Sequence, residues 1–169
     1  YPAISLVDPV CSYCVAFKIP QNEAKKEALR ALALDLAKNS VNREPVKMGL
    51  ALLGIAGKKE DLHILKTLGK HDEFTLFAAG SAAGLLKGKE KNAFLTELAE
   101  EVEGWGKLAI LYELDYSDEK ARLWAVKKGC RNTVGYSYAA NVCATKGNMA
   151  DILAKLKAGE YAETEAGEI

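Results

Sequence analysis

Proline, histidine and arginine are scarce in this sequence, at four, two and four residues among 169. So few prolines, with only moderate glycine, exclude a low-complexity or broadly disordered chain. Two histidines leave little material for a metal centre or a general base. An excess of either charge is also absent: Lys plus Arg and Asp plus Glu each number 23. That balance gives no net attraction to nucleic acid or to an anionic membrane, and it argues against nucleic acid as the partner. No apolar run approaches bilayer-spanning length, so no membrane partner is expected. The start, Tyr1-Pro2-Ala3, has no basic-then-apolar leader. Four cysteines in that setting suit a reducing cytoplasm better than a disulfide framework.

What is present is helical periodicity. Hydrophobic residues make up 49% of the chain, enough for a real interior. Pro9 and Pro20 bracket an apolar stretch from Val10 to Ile19, which reads as a short helix. Asn22 is placed to cap a helix over residues 24–37, with Leu29, Leu32, Ala33 and Leu36 on one stripe. Helices follow over Pro45 to Ala56, Glu60 to Leu68 and Asp72 to Leu86. The first is apolar nearly all round and should lie between neighbours. Gly69 stands where a left-handed helix cap favours glycine. Gly80 and Gly84 suggest close approach of another helix. Further stripes run through Phe94 to Val102, Trp105 to Tyr112, Ala121 to Ala125, Tyr136 to Ala144 (capped from Asn132 or Thr133) and Met149 to Leu156.

Two punctuation series agree. Turns at Gly57, Gly88, about Tyr116 and Gly147 are spaced 28 to 31 residues apart, and glycines at 69, 104, 129 and 159 close the second helices. A period near 30 residues is the signature of stacked helix pairs. The expected fold is all-α: an α-α superhelix, a right-handed solenoid of antiparallel helix pairs with about four to five repeats. It covers residues 1–158 as one domain, and residues 159–169, acidic and without a basic residue, form a flexible tail.

The residues that carry a family resemblance are Val46-Lys47-Met48-Gly49-Leu50-Ala51-Leu52-Leu53-Gly54 followed by Glu60-Asp61-Leu62-His63-Ile64-Leu65. Gly104-Trp105-Gly106-Lys107, Cys130-Arg131-Asn132 and Tyr138-Ala139-Ala140 with Cys143-Ala144-Thr145 add to it. Together they resemble HEAT-type repeats, and in particular bacterial HEAT-like proteins of unassigned function. The resemblance covers about two thirds of the chain and implies a concave helical surface offered to a partner. The turn Asp and Arg that ladder along many such stacks are not repeated here.

Chemistry-bearing residues are few. Cys11 and Cys14 form a Cys-x-x-Cys pair, the one candidate for a metal or redox site. No second close pair completes a zinc set, so the reading is two thiols on a partly buried helix. His63 and His71 have no partner at triad spacing. Glu97, Glu100 and Glu101 read as a solvated helix face. No Gly-rich phosphate loop follows a strand. No catalytic residue and no cofactor is assigned.

The remaining candidates bind a partner: the basic cluster Lys120, Arg122, Lys127, Lys128 and Arg131, with the aromatics Trp105, Tyr112, Tyr136 and Tyr138. The leading expectation is a non-enzymatic scaffold for a protein or peptide. The alternatives are a nucleic-acid-acting protein resembling the HEAT-like DNA glycosylases, and a small lyase-like enzyme with a pocket near Trp105, Tyr112 and Tyr136.

Overall fold

The computed structural model describes residues 2–161. Among them there are ten α-helices and no strand. These are α1 (Val7–Ala16), α2 (Glu23–Asn39), α3 (Arg43–Ala56), α4 (Leu62–Gly69), α5 (Asp72–Leu85), α6 (Gly88–Ala99), α7 (Gly104–Glu113), α8 (Glu119–Trp124), α9 (Tyr136–Thr145) and α10 (Met149–Lys157). Contacts divide the chain into two compact units, Tyr1–Lys87 and Gly88–Ile169. The acidic tail expected over 159–169 lies outside the described residues from 162 onward.

In the first unit, α3 packs between α2 and α5, as its all-round apolarity requires. Leu50 and Leu53 are fully buried there, each a contribution of about 1.5–3 kcal/mol relative to exposure. Asn22 caps α2 by accepting from the Lys25 amide at 3.0 Å. Several contacts in this unit join residues 30 or 31 positions apart. Arg30 reaches Glu60 and Asp61, Arg43 reaches Glu73, and the Ser81 hydroxyl donates to the Leu50 carbonyl at 2.7 Å. Gly54 and Gly84 are a fourth such pair: a Cβ on Gly84 would sit 2.6 Å from the Gly54 carbonyl oxygen.

Two glycine expectations need correction. Gly80 has nothing within 4 Å of its missing Cβ and faces solvent, so close approach explains Gly84 alone. Gly69 is not left-handed. It is buried, and its carbonyl accepts from the Thr75 hydroxyl at 2.8 Å. His71 caps α5 instead, its Nδ1 accepting from the Glu73 amide at 3.2 Å. The paired glycines make a sharp test by thermal or denaturant unfolding. Gly80→Ala should stabilise by about 0.5–1 kcal/mol through helix propensity, whereas Gly84→Ala should destabilise by about 1–3 kcal/mol through overpacking.

In the second unit, Asn92 on α6 clips the end of the following hairpin. Its Nδ2 donates to the Asp115 carbonyl and its Oδ1 accepts from the Asp115 amide, both at 2.9 Å. Helix α8 continues as a π-helical stretch, Ala125–Gly129. Gly129 is its last residue, and a Cβ there would meet Leu111 Cδ2 at 2.6 Å. Helix α9 begins at Tyr136 with Gly135 (φ 104°) at its cap, later than Asn132 or Thr133. Asn132 is committed elsewhere: its Nδ2 donates to the Gly104 carbonyl at 2.9 Å and its Oδ1 accepts from the Val134 amide.

Candidate partner-binding surface

Helices α7 and α9 pack against each other. On α7 the buried side is Leu108, Ile110 and Leu111; on α9 it is Ala139, Val142 and Cys143. The aromatic candidates lie outside those buried sides, and Tyr136 and Tyr138, two residues apart, fall on different flanks of α9. Trp105 near the start of α7 meets Tyr138 near the start of α9, edge to face, with ring centroids 5.0 Å apart. At the other ends, Lys146 Nζ lies 5.5 Å from the Tyr112 ring centroid and 6.0 Å from that of Tyr116. Start meeting start and end meeting end means that the two helices run side by side in the same direction. The rise per residue separates Trp105 from Tyr112 by about 10.5 Å along α7.

These rings face solvent. Trp105 is 60% exposed, Tyr112 57%, Tyr136 69% and Tyr138 53%. Tyr116 differs: its hydroxyl donates to the Leu111 carbonyl at 2.7 Å, and burial pushes its pKa upward.

The basic candidates have different surroundings. Lys128 Nζ and Trp124 Nε1 both reach Glu100 Oε1, at 3.1 and 3.0 Å. The indole hydrogen bond first, and Lys128 after it, hold that carboxyl below the usual range. Arg122 Nη1 donates to the Tyr116 carbonyl at 3.1 Å, and its buried Nε has no hydrogen-bond partner. Lys127 is half-buried. Lys120 borders two clefts of about 400 and 410 Å³, beside Lys155 and Tyr161 in one and Asn92, Thr96 and Trp124 in the other. Arg131 is exposed in the turn that leads into α9, next to the Asn132–Gly104 bond that ties this turn to the start of α7. Of the five cations, Arg131 stands nearest the aromatic surface by chain position.

Lys146 was missed by residue-by-residue reading. Residues 120–150 contain no Asp or Glu while holding Lys120, Arg122, Lys127, Lys128, Arg131 and Lys146. That asymmetry, hidden by the neutral total, is the signal that would have found it.

The thiols offer no built centre. Cys14 is buried and Cys11 half-buried, and burial first raises both pKa values, away from the reactive thiolate. Among the described residues, no group of three or more His, Cys, Asp or Glu could hold a metal. His63 is exposed with Nδ1 2.6 Å from the Glu60 carbonyl oxygen, and His71 serves as a helix cap. Among the described residues, no helix is long and apolar enough to cross a membrane. No family model, curated protein or solved structure matches this chain.

Proposed function

We propose that this chain is a non-enzymatic, HEAT-like interaction module whose working part is the aromatic face of α7 and α9, offered to a protein or peptide. The observation that carries the reading is the Trp105–Tyr138 pair, two large rings in mutual contact yet both more than half exposed. Aromatic side chains bury 150–250 Å² each, and Trp, Tyr and Arg dominate the residues whose truncation weakens protein interfaces. A scaffold needs no reactive group.

The test places a photo-crosslinking residue at position 138 of the full chain, in lysate of the native source, with position 25 as control. The captured protein is then purified and its affinity measured directly. Trp105→Ala combined with Tyr138→Ala should weaken binding by more than about tenfold, with thermal unfolding showing that the variant still folds. Equal affinity of the double variant, or identical captures from positions 138 and 25, would refute the proposal.

A further inference from the structure

The charge around these rings narrows the partner. On α9 and the turn before it, from Arg131 to Lys146, there is no carboxylate. On α7 the flanking Glu103 is neutralised by Lys107, whose Nζ lies 3.0 Å from its Oε1, leaving Glu113 as the remaining acid. Arg131 therefore stands at one end of the face, and Lys146 at the other over Tyr112. No residue between them in the sequence carries a charge.

We infer that the ligand of this face is a short, extended, acidic peptide segment, whose apolar side chains lie on Trp105 and Tyr138 while its carboxylates meet Arg131 and Lys146. This rests on the reading that the face binds a protein, and it names the chemistry of what is bound. Length follows from geometry. Ten residues of α7 span about 15 Å, which an extended peptide covers with about four or five residues. The charge complementarity is local, so it operates within roughly one Debye length, about 8 Å at physiological salt. Two cations suit a segment with two or three carboxylates. They are too few for the run of phosphates that drives nucleic-acid binding.

The experiment is selection from a random peptide library displayed on phage, using the full chain as bait and the Trp105→Ala/Tyr138→Ala variant for depletion. Clones that survive depletion should be enriched in Asp and Glu. Synthetic copies should bind with an affinity that falls as salt rises, and Arg131→Glu with Lys146→Glu should weaken them about tenfold. Lys25→Glu, in the other unit, should change nothing. Neutral or basic survivors would overturn the acidic-ligand inference while leaving the aromatic face as a protein-binding surface. A single-stranded oligothymidylate that competes more tightly than every peptide would overturn it in favour of nucleic acid. If no clone distinguishes bait from depletion variant, both this inference and the reading beneath it fall.

Discussion

Asp61→Ala should cost roughly 3 kcal/mol of unfolding free energy, within the range for breaking a buried ion pair. Asp61 is 2% exposed. It accepts from Arg30 Nε and Nη2, both at 2.7 Å, and from the Lys58 amide at 2.8 Å. Removing the carboxylate strands a guanidinium whose side chain is only 13% exposed, with Glu60 and Glu27 as its remaining acids. The same bond joins α2 to the hairpin one period later, so its loss should loosen the first unit. The pH dependence has a definite sign. Arg30, ahead of the Lys58 amide, holds the Asp61 carboxyl below the usual carboxylate range. A lowered folded-state pKa means that the stabilisation is complete above the unfolded value, about 3.9. It disappears as pH falls through the lower, folded value. Denaturant unfolding should accordingly show a steeper loss of stability below about pH 4 for the parent than for Asp61→Asn. Equal slopes would place the pair outside the folding balance.

Asn92→Ala should cost about 2–3 kcal/mol, because it leaves a backbone donor and a backbone acceptor of Asp115 without their partners. Asn92 is 4% exposed, so water does not readily replace the lost amide. Asn141 on the exposed side of α9 is the control: Asn141→Ala should stay within about 0.5 kcal/mol. Chemical denaturation of both variants checks the difference, and similar losses for the two would mean that the clip contributes nothing specific.

Much of the helical architecture is legible in the sequence, since amphipathic and all-apolar stripes report burial directly. The apolar circumference of α3 foretold neighbours on two sides, and Asn22 foretold a cap. Failures occur where a distant partner decides. Asn132 looks like a helix cap by local rules, but its amide is spent on Gly104, 28 residues earlier. Lys128 and Trp124 read locally as a cation beside an aromatic, and that both reach Glu100, just after α6, is set by a residue more than 20 positions earlier. Gly69 has the spacing of a left-handed cap, yet the Thr75 hydroxyl bond to its carbonyl settles the turn another way. Gly80 and Gly84 are alike in the sequence, and only the position of Gly54 separates them. The aromatics stand out in the sequence by type, whereas the meeting of Trp105 with Tyr138 arises from the parallel run of α7 and α9. Residues about 30 positions apart meet in the first unit, at Arg30 with Glu60, Arg43 with Glu73 and Ser81 with Leu50.

A second exposed apolar patch gives the central claim a fair competitor. On α1 and the turn after it, Tyr13 and Phe17 stack with centroids 4.2 Å apart, and both are 57% exposed. Hydroxyl-radical footprinting reads both patches in one experiment, on the isolated chain and on its complex with the protein captured from position 138. The account requires that Trp105 and Tyr138 lose most of their reactivity in the complex while Tyr13 and Phe17 keep theirs. Undiminished oxidation at Trp105 and Tyr138 in the complex, above all with protection at Tyr13 and Phe17, would contradict it.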